Sequence, residues 1–261
     1  MLIDCHAHLD YGKFPDHTEE IIRKVSEGNP NAIIDTAFDV RSSVKCALNA
    51  AKSKNVFSAV GVHPEDAYEW TDEVRERLTK YALSEKNVAI GEIGLDYHFA
   101  ENPPKEAQKK AFVEQLEWAY SLKLPAVVHV RDAHGDTVNV LKENKNFLQY
   151  GLLVHCYSGS KELLTEYNRF DAYYSFGGVI TFKNAKEKPE IVRNVPTDRL
   201  LLETDCPYMA PVPFRGQINF PEYVKYVADK MAEILGKSRE EIENITTENA
   251  LRLFGKMRIE K

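Results

Sequence analysis

The chain has 261 residues, 43% hydrophobic and 28% charged, with a net charge of −6. That size suits a single (β/α)8 barrel, and the acidic balance excludes a protein that coats nucleic acid through a broad basic surface. It leaves room for an enzyme that grips a few phosphates, and no apolar run approaches the roughly 20 residues needed to cross a bilayer.

In chain order, short apolar runs recur: "MLIDCH", "NAIIDTAF", "VFSAVGVH", "NVAIGEIG", "PAVVHV", "GLLVHC", "AYYSFGG" and "RLLLETD". Each has the length of a buried parallel strand. Charged stretches with helical spacing lie between them. "TEEIIRKVSE" puts Ile21, Ile22 and Val25 on one face, and "KEAQKKAFVEQLEWAYSLK" does the same for Ala111, Phe112, Gln115, Leu116 and Ala119. "SREEIENITTENALRLFG" opens on Ser238 and Glu241, a capping-box pattern, and stops at Gly255. About eight strand–helix units predict a parallel sheet closed into a single (β/α)8 barrel over residues 1–261. An open doubly wound sheet is the rival, but no G-x-G-x-x-G follows the first strand and no phosphate-loop pattern occurs. "MLIDCHAHLD" lacks the basic flank and cleavage site of a signal peptide, so the expected location is cytoplasmic.

The strand ends carry the chemistry. The first ends in His6 and His8, the fourth carries Glu92, the fifth His129, the sixth His155, and the eighth Glu203 and Asp205. Barrel enzymes build their sites at these C-terminal ends. Residues i and i+2 of a strand share a face, so His6 pairs with His8, and Glu203 with Asp205. A single buried histidine is usually a hydrogen-bonded core residue, but so many imidazoles and acids at one mouth are not a coincidence of packing. Buried acids need a counter-charge, and this donor set suits Zn, Mn, Fe or Mg.

These pieces resemble the TatD-type metal-dependent deoxyribonucleases of the amidohydrolase superfamily. The matching stretches are "DCHAHLD", "GVHPEDA", "GEIGLDYH", "PAVVHVRDAHGDT", "LLVHCYSGS", "SFGGVITFKNA", "LLLETDCPYMAPVPFRGQ" and "TENALRLFG", which span nearly the whole chain. The resemblance implies a distorted TIM barrel with one to three divalent ions (Zn, Mg or Mn), usually two in the core site. It implies a first metal site of His6, His8, Glu92 and Asp205, with Glu92 as the bridge and His129 and His155 completing the second. Asp205 is then both ligand and general base, with Glu203 beside it either orienting a water or a ligand histidine or ligating the metal directly. A metal-activated water would attack phosphorus in line, and Asp205 would take its proton. The expected reaction is cleavage of DNA from single-stranded ends in a 3′–5′ exonuclease-like manner, with no membrane and no obligate protein partner.

Around this core, His63 in "GVHP" is a candidate substrate contact or a turn residue before Pro64. Arg131 shares the His129 face and would bind phosphate or pair with Asp132, and Arg215 in "PVPFRGQ" is a second phosphate candidate. Tyr157, Ser158 and Gly159 form a polar loop. Strand alternation turns Cys5 and Cys156 away from the ligands, as packing residues. Family members commonly carry a basic pair where this chain has Gln217 and Ile218, and an acid where it has Phe220. Phe220 would stack on a base or pack at the start of the last long helix. The alternative is hydrolysis of a carbonyl ester or amide, such as an aminoacyl ester on tRNA, in the same site. A non-catalytic, metal-stabilised scaffold would be favoured by a missing ligand, and none is missing.

Overall fold

The computed structural model describes residues 1–10, 14 and 16–259. The last two residues of the expected 1–261 domain lie outside them. The strands are β1 (Ile3–Ala7), β2 (Ala32–Thr36), β3 (Val56–Val60), β4 (Asn87–Asp96), β5 (Ala126–Arg131), β6 (Leu152–Val154), β7 (Tyr173–Phe176) and β8 (Leu200–Leu202). The helices between and after them are α1 (Thr18–Ser26), α2 (Val40–Ala50), α3 (Asp72–Ala82), α4 (Lys105–Ser121), α5 (His134–Glu143), α6 (Lys161–Asn168), α7 (Lys188–Asn194), α8 (Val224–Leu235) and α9 (Arg239–Leu253). All eight expected strands form one parallel sheet in sequential order. β8 returns to β1 through a parallel bridge between Ala7 and Cys206. Backbone hydrogen bonds from His8 N to Cys206 O (2.9 Å) and from Asp205 N to His6 O (2.9 Å) close the seam. This is the (β/α)8 barrel.

The two faces of the wall pack differently. Val127, Leu153 and Leu201 join one buried cluster with Ile3, Phe57 and the α9-end residues Ala250, Leu253 and Phe254. Their strand neighbours Val128, Val154, Leu200 and Leu202 join another, with Phe112 and Leu116 of α4 and Val227 and Met231 of α8. Each such side chain contributes about 1.5–3 kcal/mol by leaving water. Continuing the alternation from Val127, Leu153 and Leu201 carries His129, His155 and Glu203 to the face of that first cluster. The Ser238–Glu241 capping box forms as expected and starts α9.

β6 and β8 are three residues each, shorter than their apolar runs suggested, while β4 runs to ten. His155, Glu203 and Asp205 therefore stand just past their strands. Cys156 and Asp205 take positive φ, 42° and 54°, a left-handed conformation that departs from the extended strand. It also undoes the expectation for Cys156. That residue is half-buried rather than turned into the wall, and the Glu203 carboxylate lies against its thiol, which burial and that carboxylate push up. Cys5 is buried in apolar surroundings as expected. Phe220 packs between Phe14 and Tyr223, at ring distances of 5.4 and 5.8 Å, and leads into α8 rather than into the last helix.

Candidate metal centre

Glu92 stands in the middle of the mouth, 3% exposed. β4 slips register between Ile90 and Ile93 at its pairing with β5, and the Gly91–Glu92 peptide is cis. The Glu92 amide bonds across to Ala37 O at 2.8 Å. Beyond it, Gly94 has φ +142°, and a Cβ there would lie 2.1 Å from the His129 carbonyl oxygen. Glycine at that position lets β4 and β5 approach where both carry site residues.

The two carboxylate oxygens of Glu92 face different groups. Oε2 lies 3.4 Å from Nε2 of His6 and 3.4 Å from Nε2 of His8. Those two nitrogens are 3.0 Å apart, and Asp205 Oδ1 is 3.4 Å from His8 Nε2 and 3.9 Å from His6 Nε2. Oε1 lies 2.7 Å from His129 Nδ1, 2.6 Å from His155 Nε2 and 3.7 Å from His63 Nε2. The donor atoms of His6, His8 and Asp205 fall within 4.8 Å of one another, as do those of His63, Glu92 and His129, and those of His6, His155 and Glu203.

Outer partners fix these side chains. His8 Nδ1 bonds Thr36 O at 2.8 Å. His129 Nε2 bonds Asp96 Oδ2 at 2.9 Å. Ser175 Oγ donates to Glu203 Oε2 at 2.5 Å, and that oxygen is 3.8 Å from His155 Nδ1. Asp4 accepts from Thr204 N at 2.8 Å and from Thr204 Oγ1 at 2.5 Å, tying the strand before His6 to the residue between Glu203 and Asp205. Burial pushes the Asp4 carboxyl up to about 8. None of Thr36, Asp96, Ser175 and Asp4 was singled out from the sequence. Asp96 and Asp4 carried a faint signal, since they stand four residues after Glu92 and two before His6.

The electrostatics divide the imidazoles. Burial, with the neighbouring His155 charge, pulls His6 down to about 4. Burial and His129 pull His63 down to about 3. Burial also opposes a charge on His8, but the Asp205 hydrogen bond and the Glu92 and Asp205 charges outweigh it and lift that ring to about 9. Burial would raise Glu92, yet the charges of His155, His6 and His63 hold it well below the usual carboxylate range.

A divalent cation fits these residues. Among the described residues His6 Nδ1, His155 Nδ1 and Glu203 Oε1 are buried with no hydrogen-bond partner, and an unmet buried polar atom costs about 1–3 kcal/mol. Two imidazole nitrogens 3.0 Å apart, both directed at one carboxylate oxygen, form a donor set of nitrogen and oxygen that suits a borderline cation.

The remaining candidates lie farther out. His63 accepts from Glu65 N at 3.2 Å and packs edge-on to His129 at 4.4 Å, so it serves the turn and faces Glu92 as well. Arg131 is exposed over the Phe99 ring at 5.0 Å, and Asp132 is engaged by His98 at 2.8 Å. Arg215 is exposed over the Phe182 ring at 4.3 Å. Ser158, in the loop after His155, bonds His134 at the start of α5 at 3.1 Å.

The family model described as TatD related DNase matches residues 3–255. The chain belongs to the TatD-related DNase family. It is 43% identical over 255 residues to the Bacillus subtilis metal-dependent hydrolase YabD, covering 97% of this chain and 99% of that one. It is 35% identical over 260 residues to the Escherichia coli metal-dependent hydrolase YcfH, covering 97% and 96%. The crystal structure of the Escherichia coli TatD homolog YjjV superposes with a TM-score of 0.88 at 30% identity, over 97% of this chain and 98% of that one. This TatD-family protein is a metal-dependent hydrolase. Among its described residues no helix is long and apolar enough to cross a membrane.

Proposed function

We propose that the protein is a cytoplasmic deoxyribonuclease that uses two divalent ions (Zn, Mg or Mn) to cleave phosphodiester bonds from single-stranded ends in a 3′–5′ exonuclease-like manner. The observation that carries this reading is Glu92, whose two oxygens face two separate groups of ligand-type side chains. His6, His8 and Asp205 would hold one ion, His129 and His155 the other, with Glu92 between them. Such a pair of cations supplies Lewis acidity, lowering the pKa of water and drawing charge from a phosphoryl oxygen.

The chain's own residues do the rest. Asp205, 8% exposed, is the acid positioned to take the proton from the attacking water at Oδ1. Glu203, anchored by Ser175 and 3.8 Å from His155 Nδ1, places a carboxylate behind that ring. His63, Arg131 and Arg215 contact the substrate around the mouth. The second reading, hydrolysis of a carbonyl ester or amide such as an aminoacyl ester on tRNA, is favoured by the exposed Gln217 and half-buried Ile218. Neither brings a cation to the β8 loop.

The test uses metal-stripped protein and single-stranded DNA labelled separately at each end, with Mg, Mn or Zn restored and Asp205→Asn as control. Stepwise shortening from the 3′ end that needs metal and is lost in the variant is the expected result. No cleavage by protein that rebinds two ions would overturn the nuclease reading and favour the carbonyl substrate.

A further inference from the structure

Three arginines in the described structure lie over aromatic rings: Arg131 on Phe99, Arg215 on Phe182 and Arg199 on Tyr173. Arg199 precedes β8, at the base of the barrel, and its charge is met by Asp198 at 2.7 Å. Arg131 ends β5 and Arg215 stands on the loop after β8, both at the C-terminal face, and among the described residues neither forms a salt bridge.

Exposed Glu65 feels the Arg131 charge without an ion pair between them, and three further acids near Arg131, in strand register or along the chain, are engaged elsewhere. Asp96 holds His129 Nε2 and the His98 amide. Asp132 holds His98, and Asp136 takes Tyr97 Oη and Lys109 Nζ, both at 2.9 Å. Arg131 follows His129 by two residues on β5, which places the two Cα atoms about 6–7 Å apart along one face. Its guanidinium rests on Phe99, which is itself 40% exposed.

Arg215 is held from the other side of the mouth. Asn219 Nδ2 donates to Thr204 O at 2.8 Å and to Tyr208 O at 2.7 Å, binding the end of this loop to the stretch that bears Glu203 and Asp205. The loop after β7 is fastened to it. Val212 N donates to Thr181 Oγ1 at 2.9 Å, and Gly178 sits so close that a Cβ would meet Met209 O at 2.0 Å. Phe182 follows directly, under Arg215. β5 and β8 are three strands apart in the ring of eight, so the two arginines occupy different arcs of the rim.

A guanidinium stacked on a ring keeps its edge N–H groups free and has already lost much of its rotamer freedom, an arrangement suited to phosphate. We propose that Arg131 on Phe99 and Arg215 on Phe182 are two phosphate clamps flanking the metal centre. One holds the retained strand and the other the phosphate beyond the departing nucleotide. This inference rests on the nuclease reading and goes further: the preferred substrate is a single-stranded oligonucleotide whose cleaved end carries a terminal phosphate.

The experiment measures binding and cleavage separately, with the metal-loaded protein. Anisotropy of labelled, phosphorothioate-linked oligothymidylates gives Kd against salt, and cleavage compares matched strands ending in phosphate or hydroxyl. The wild type is expected to favour the phosphate end by about tenfold, as one charge-assisted contact would give. Arg131→Gln and Arg215→Gln are each expected to lower the slope of log Kd against log salt by about 0.7, and one of them to abolish the end preference. Phe99→Ala and Phe182→Ala should weaken binding in the same direction with the charge retained. Wild-type salt slopes in both arginine variants, with DNA still bound and cleaved, would overturn the clamps and leave the nuclease standing. A loaded wild type that neither binds nor cleaves DNA would overturn the nuclease reading, and the clamps with it.

Discussion

Oε1 of Glu92 on β4 lies 2.6 Å from Nε2 of His155 at the end of β6, across the intervening β5. Its other oxygen faces His6 and His8 at 3.4 Å. One carboxylate thus joins side chains from three parts of the ring. Glu92→Gln keeps the shape and removes the shared charge. Metal content by elemental analysis should fall, and kcat/KM should drop by more than the roughly 100-fold that losing an outer partner costs. Full occupancy with full activity would remove Glu92 from the centre.

Asp205→Asn should leave far-UV circular dichroism unchanged, because its backbone bond to His6 O is retained. The proton acceptor is lost, so kcat should fall by about 10²–10⁴-fold. Single-turnover measurements locate the loss in the chemical step; a variant that turns over at the wild-type rate contradicts the assignment.

Asp96→Asn tests a residue that touches the centre only through His129, at 2.9 Å. An amide holds that ring less firmly than a carboxylate. Metal affinity or activity is expected to weaken by about 10–100-fold, measured by competition with a chelating dye. An unchanged affinity would mean that His129 is oriented without it.

Gly94→Ala forces a side chain onto a φ of +142° and to within 2.1 Å of the His129 carbonyl oxygen. The urea midpoint should fall by the equivalent of about 1–3 kcal/mol, with activity reduced as β5 shifts. A midpoint equal to the wild type would show that β4 and β5 can separate there without cost.

His134 lies outside the centre, between Tyr167 Oη at 2.9 Å and Ser158 Oγ at 3.1 Å. Burial and then the Lys188 charge pull it down to about 4 from an ordinary 6.5. The unfolded chain therefore binds a proton here more readily than the folded one, and stability rises with pH. The contribution is present above about 6.5 and is lost as pH falls through about 4. In His134→Gln, stability measured by urea unfolding should depend less steeply on pH across that window. An identical slope would mean that the ring is solvated in the fold.

Much of the barrel, and the side chains gathered in the candidate metal centre, were legible in the chain alone. Apolar runs of strand length, helical spacing between them and the pairs His6–His8 and Glu203–Asp205 are local patterns, set by periods of 2 and 3.6 residues. The same local logic failed at Cys156, because a left-handed residue just past a three-residue strand breaks the alternation. What only the tertiary structure decided depends on register and on loops meeting across the mouth. Asp4 finds Thr204 200 positions away, Asp96 finds His129 across the β4–β5 pairing, and Arg131 and Arg215 settle on Phe99 and Phe182. Such pairings leave no period in the sequence. They arise when closing the ring brings the strand ends together, and that closure is driven by apolar wall residues that carry no record of which polar groups will meet above them.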